Sequence, residues 1–215
     1  MKLFGTDGIR AKAGEFPLDT ATARIIGASL AQHLAERNDG RKPRIVIGRD
    51  TRESGPAIEA ALTEGALAVG ATVESAGVIT TPGVAFLTRS LHADAGVVIS
   101  ASHNPFDDNG IKIFDPSGRK LDDATERKIE SDIAAGSIDF APDGFASPNQ
   151  ELSNRLRETY LDYLKTEVAR GLSLGGLKMV VDCANGAASG LAPRLFAGLG
   201  AMVIPINCDP DGRNI

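Results

Sequence analysis

Ser100, Ser102, His103 and Asn104 stand together in the run Ser100-Ala101-Ser102-His103-Asn104-Pro105, and Lys112 follows a short way on. Two hydroxyls that can accept an acyl or phosphoryl group, an imidazole and an amine are thus crowded into one stretch. The run before them, Gly96-Val97-Val98-Ile99, is apolar, β-branched and too short for a helix, so it reads as a strand. Pro105 removes a backbone donor and biases Asn104 away from the helical region, so the chain must loop where the strand ends. Asn109-Gly110 reads as a turn, and Ile111-Lys112-Ile113-Phe114 as a second short strand. A lysine among apolar neighbours is costly to bury unless an anion pairs with it, and burial draws an amine toward acid/base duty.

Two chemistries compete for the serine. Acyl transfer fits poorly, because no G-x-S-x-G elbow is present and a histidine adjacent in sequence cannot easily swing its ring onto the neighbouring hydroxyl. Phosphoryl transfer fits better: a serine oxygen can take and return a phosphoryl group where cations stabilise the equatorial oxygens and a metal neutralises the bridging charge. The available donors are His103, Lys112 and Arg10, the last in a glycine-spaced loop, Phe4-Gly5-Thr6-Asp7-Gly8-Ile9-Arg10, whose amides can approach an anion. Taken singly, Ser102 reads as an ordinary loop serine and Arg10 as a surface residue on a tight turn. Their clustering with His103 and Lys112 favours chemistry.

The elements that must hold these groups alternate. Asp19 or Thr20 caps a helix with Ile25, Ile26, Leu30 and Leu34 on one face, ending near Asn38-Asp39-Gly40. Arg44 to Gly48 is a buried strand, from whose end Arg49-Asp50-Thr51-Arg52 emerges before Ser54 caps a helix carrying Ile58, Leu62, Ala66 and Val69. Another strand begins at Ala71, a helix runs from Thr80 to about His92, and the serine-bearing strand comes next. Asp122 caps a helix with Ile129 and Ile133. The expected fold is α/β: a mostly parallel mixed sheet with helices on both faces, followed by a partial second α/β domain of the same kind. Ligands of such sheets bind beyond the carboxyl ends of the strands, where the Arg49 and Ser102 loops are expected. The Pro- and Gly-bearing run Ala141 to Asn149 reads as a linker, dividing the chain into 1–145 and 146–215. Beyond it, a helix from Glu151 to about Arg170 turns Leu152, Leu156, Leu161, Leu164 and Val168 inward. Strand Leu177 to Val181, a helix around Leu191 to Leu199 and strand Ala201 to Ile206 make a βαβ unit without a third strand. Asn185 to Gly190 is glycine-rich but lacks both the G-x-G-x-x-G pattern and a Walker lysine, so it reads as packing rather than as a nucleotide site.

The totals exclude other classes. The 215 residues are 42% hydrophobic and 24% charged, the balance of a soluble globular protein, and no apolar run approaches the ~20 residues that span a bilayer. The amino terminus lacks a signal-peptide core, so a cytoplasmic location and no membrane partner are expected. A net charge of -5 gives no basic footprint for nucleic acid. Cys183 and Cys208 read as free thiols, not as a disulfide framework.

The serine run, followed by Asp108-Asn109-Gly110-Ile111-Lys112, resembles the active-serine signature of the α-D-phosphohexomutase family. The Phe4 to Arg10 segment, Gly48-Arg49-Asp50-Thr51-Arg52 and Pro210-Asp211-Gly212-Arg213-Asn214-Ile215 resemble the branch of it that acts on glucosamine phosphate. The resemblance implies that Ser102 is a phosphoserine which interconverts glucosamine 6-phosphate and glucosamine 1-phosphate, an amino-sugar precursor of the bacterial cell wall, through glucosamine 1,6-bisphosphate. It implies that Arg10, His103 and Lys112 surround the phosphoserine, with Lys112 first choice for general acid/base, Asn104 shaping the loop, and Arg49 either binding phosphate or bracing loops through an acidic neighbour. One Mg2+ is implied, met in this chain by Ser102 through its phosphate alone. The metal-binding D-G-D-x-D-R loop and the later domains of the family are missing, so an incomplete chain that does not turn over unaided is expected, with an open sheet edge that favours association of copies. The rival readings are a phosphoglucomutase or phosphomannomutase of the same family, and a non-catalytic phosphosugar-binding module.

Overall fold

The computed structural model describes residues 2–6, 8–38, 41–136 and 149–215. A five-stranded sheet, ordered β1-β5-β4-β2-β3, is built from β1 (Ile9–Lys12), β2 (Arg44–Arg49), β3 (Thr72–Val78), β4 (Ala95–Ile99) and β5 (Asp108–Phe114). Strand β2 runs parallel to β3 and β4, while β5 is antiparallel to both β4 and β1. The expected mixed sheet is therefore present.

The alternation of side chains along the strands divides the core in two. Ile45, Ile47, Val97, Ile99, Ile111 and Ile113 pack with residues of α1 (Thr20–Arg37), α2 (Gly55–Ala68) and α4 (Asp123–Ala135). Val46, Ala76 and Val98 face the opposite way, onto α3 (Thr81–Ser90) and α5 (Gln150–Tyr163). Helix α5, which the sequence places beyond the linker, thus buries Leu156, Tyr160 and Leu161 against the first sheet. The linker itself, and with it the boundary at 145/146, lies outside the described residues except for Asn149, whose side chain caps α5 by accepting from Leu152 N–H at 3.1 Å. A two-stranded parallel sheet follows, from β6 (Lys178–Asp182) and β7 (Met202–Ile206) flanking α6 (Ala192–Gly198). Val180 and Met202 of this sheet are 64% and 65% exposed, so the second unit has little core of its own. No helix among the described residues is long and apolar enough to cross a membrane.

Four expectations need correcting, the first being that Ser54 caps α2: its side chain makes no cap bond to that helix. The Phe4 to Arg10 segment is not loop throughout, because Ile9–Lys12 zips onto β5 as an edge strand. Asn109-Gly110 is not a turn: both residues lie inside β5, which starts at Asp108. Val168 is 63% exposed rather than inward-facing, because α5 gives way to a single π-helical turn at Leu164–Val168. An i→i+5 turn holds more residues than an α turn, so the apolar stripe rotates away from the core.

Candidate active site

Strands β2 and β4 are parallel neighbours whose chains leave in opposite directions, β2 toward β3 through α2 and β4 toward β5, so the crevice beyond their carboxyl ends is a topological switch point. The segment Asp50 to Ser54 emerges from one strand and Ser100 to Asp107 from the other, and Asp50 N–H ties them by donating to Ile99 O at 3.0 Å. Ser102 sits exposed at the tip of the second loop, in the left-handed region with φ +61°.

Such a backbone is costly for a residue with a Cβ and persists only where its surroundings over-determine it. A polar relay supplies that restraint. Ser102 N–H donates to Ser100 Oγ at 3.0 Å, Ser100 Oγ donates to Asp50 Oδ2 at 2.7 Å, and Asp50 accepts from Arg52 through its backbone N–H and its Nε, each at 3.0 Å. Arg52 is 1% exposed. Its guanidinium donates to the carbonyls of Ser102 at 3.0 Å, Asn104 at 2.8 Å and Asp108 at 3.0 Å, and to that of Pro105. The Asn104 side chain closes the loop on Asp108 at 2.8 Å.

Arg10 and Lys112 approach from the sheet. Arg10 pairs with Gly110 across β1 and β5, and directly opposed residues of an antiparallel pair point to the same face. Gly110 and Lys112 are two apart on β5, and Lys112 opposes Val98, so Arg10, Lys112 and Val98 share the face that carries α3. Half-buried Lys112 lines a cleft of about 160 Å³ with Thr6, Gly8, Thr81, Lys120 and Glu126. Burial raises the Glu126 carboxyl above its ordinary value even though Lys120 lies 3.1 Å away. His103 is exposed beside Ser102. Arg49 takes the bracing arrangement, its Nε 2.8 Å from Glu59, a buried carboxylate that also accepts from Ser75.

The structure thus gathers Ser102, His103 and Asn104 on one loop and sets Arg10 and Lys112 on the adjoining sheet face, while Arg49 is held to one side. Sequence reasoning missed Ser100, Asp50 and Arg52 as the parts that hold the loop. The signal was present in the charged run leaving β2, but nothing in it distinguishes a buried arginine from a solvated one. Among the described residues no group of three or more His, Cys, Asp or Glu side chains is placed to hold a metal ion. Asp50 and Asp108, the carboxylates tied to the loop, are already engaged by Arg52, Ser100 and Asn104. These residues do not form a magnesium site among themselves.

A three-layer α/β domain presenting a serine loop at its switch point defines a recognisable class. The sequence matches the family described as phosphoglucomutase/phosphomannomutase, alpha/beta/alpha domain I, over residues 1–138. The chain belongs to this family of α-D-phosphohexomutases. Curated relatives named phosphoglucosamine mutase include those of Deinococcus deserti, 50% identical over 217 residues, and Cereibacter sphaeroides, 48% identical over 214. Both alignments cover 100% of this chain and 47% of the relative, so the chain spans about half the length of the curated relatives it matches. A crystal structure of a phosphoglucomutase/phosphomannomutase family protein from Burkholderia thailandensis superposes with a TM-score of 0.78 at 28% identity, covering 98% of this chain and 45% of that one.

Proposed function

We propose that this chain carries the phosphoserine half of a phosphoglucosamine mutase, with Ser102 as the residue that is phosphorylated and dephosphorylated in each cycle. The observation that carries the reading is the exposed Ser102, held in a left-handed conformation by buried groups, next to a sheet face bearing Arg10 and Lys112. The relatives named phosphoglucosamine mutase support the glucosamine substrate over glucose or mannose phosphate.

In the proposed step a sugar hydroxyl oxygen bonds to phosphorus as the Ser102 Oγ–P bond breaks, and the reverse transfer at the other hydroxyl regenerates phosphoserine. Lys112 is the group to take or return the hydroxyl proton. Arg10 and His103 supply positive charge and hydrogen-bond donors to the phosphoryl oxygens, where charge develops. Magnesium, expected from the family, would meet this chain only at the phosphoryl group. Sustained turnover is accordingly not proposed for the 215 residues by themselves; such turnover with magnesium and bisphosphate would contradict that part of the reading. Association of copies through the exposed β6–β7 sheet is a separate proposal, which light scattering showing only monomer over a wide concentration range would remove.

The test is Ser102→Ala at the native locus, with conversion of glucosamine 6-phosphate to glucosamine 1-phosphate measured on the purified protein. The reading expects conversion to be abolished. A non-catalytic phosphosugar-binding module would tolerate the loss of one hydroxyl.

A further inference from the structure

A guanidinium has five N–H donors in a fixed fork. In Arg52 all five are matched: Nε to Asp50, Nη1 to the carbonyls of Pro105 and Asp108, and Nη2 to those of Ser102 and Asn104. A buried cation is tolerated only when paired and fully hydrogen-bonded, and here most of its partners are main-chain oxygens of a single loop. That choice of partners has a directional consequence. The peptide bonds of the loop are trans, because the one cis bond among the described residues is Phe16-Pro17. In a trans peptide the N–H points opposite to the C=O. With the Ser102 carbonyl drawn inward to Arg52, the N–H of His103 is turned away from Arg52, between two exposed residues at the tip of the loop. No acceptor among the described residues takes that N–H.

We infer that Arg52 is a positioning residue for the phosphoryl transfer proposed above: by drawing the loop carbonyls inward, it aims the His103 peptide N–H at the phosphoryl group on Ser102. The inference deepens that reading and rests on it. Arg52 never meets the substrate; it acts through the backbone of the serine loop. Lysine cannot substitute, since its three donors on a point charge do not match five acceptors arranged around a plane. Ser100 and Asp50 serve the same end by fixing the Ser102 N–H, so that the two peptide groups flanking the serine are set by one buried network.

The test installs phosphoserine at position 102 chemically or by codon reassignment, so that it does not depend on catalysis. Backbone ¹H–¹⁵N spectra of the phosphorylated and unphosphorylated 215-residue chain are then compared, in the wild type and in Arg52→Lys. The expected result is a downfield shift of the His103 amide proton on phosphorylation of the wild-type chain. In Arg52→Lys that shift is lost, while the amides of Val97 and Val98 in β4 keep their positions. An unshifted His103 amide in the wild type, or an equal shift in Arg52→Lys, overturns the inference. Should Arg52→Lys fail to fold, Ser100→Ala decides in the opposite sense: it cuts the tie to Ser102 N–H but leaves Arg52 on the Ser102 carbonyl, so the His103 shift is expected to persist, and its loss overturns the inference. Failure of the parent reading shows up separately, as a native protein without phosphate on Ser102, because the installed phosphate reports on the loop regardless.

Discussion

Replacing Gly110 by Ala tests whether the seam between β1, β5 and the serine loop is as tight as the geometry requires. A Cβ built on Gly110 would lie 2.7 Å from Ser100 O, 2.8 Å from Ile9 O and 3.1 Å from Arg10 Cγ. Ordinary carbon contacts begin near ~3.5 Å, so the two carbonyls are overlapped by more than half an ångström. Neither can retreat freely. Ser100 N–H donates to Gly110 O at 2.9 Å, and Ile9 is laddered to Ile111. Overpacking of this kind costs about 1–3 kcal/mol, and obstacles made of backbone put this site in the upper part of that range. The lower conformational entropy of an unfolded alanine chain returns about 0.4–1 kcal/mol. The net expectation is a loss of about 2 kcal/mol in urea unfolding, with faster amide exchange at Ile9–Lys12, because the four-residue edge strand is the part that yields. Under the proposed function, displacement of Arg10 should lower the mutase activity of the native protein as well. Stability within about 0.5 kcal/mol of wild type, together with unchanged protection of β1, would refute the reasoning.

Other expectations follow from the same geometry. Gly65→Ala drives a Cβ to 1.9 Å from Arg24 O where α1 crosses α2, and should cost about 3 kcal/mol or more by the same urea measurement; a neutral variant would contradict the close crossing. Asp122 caps α4: burial raises its pKa, but bonds from the Thr125 N–H, the Thr125 hydroxyl and Arg37 outweigh this and hold it at about 2, against an ordinary 3.8. A depressed carboxyl stabilises the fold above its unfolded pKa and stops doing so as pH falls through the folded one. Asp122→Ala should therefore cost about 1 kcal/mol near neutral pH, and the gap between variant and wild type should close as pH falls from about 4 to 2; a pH-independent gap would count against the cap. Burial, with Cys208 and Asp182 nearby, pushes the Cys183 thiol up to about 11. Iodoacetamide at mildly alkaline pH should label half-buried Cys208 before Cys183, as mass spectrometry of the peptides would show, and equal rates would contradict the burial.

Much of this architecture was legible because periodicity and capping agree with the fold. The Asp122 cap, the Asp19 cap as one of the two candidates Asp19 and Thr20, the buried faces of α1 and α2, and the fully buried β4 all follow from residue type and spacing. The misreadings have local causes. Asn109-Gly110 carries the composition of a turn, yet Asn109 is completely buried and spends its side chain on Ser54 Oγ and on Gly110 N–H, while the glycine is required by the two carbonyls that crowd it. Ser54, the acceptor of that bond, has a helical backbone (φ -78°, ψ -17°) instead of the extended one of an N-cap, and its side chain makes no cap bond to α2. Four residues with little apolar alternation could not announce β1 as a strand; pairing with β5 makes it one. At the site, the side chains that bear chemistry were visible as types, whereas Arg52 was not, because its work lies in bonds to main-chain oxygens that no residue type encodes.

The most direct test of the central claim is mass spectrometry of the protein isolated from its native cell, combining intact mass with peptide mapping across the serine loop. The account predicts one phosphate, carried on Ser102. An unmodified Ser102, or a phosphate on another residue with Ser102 bare, would contradict it.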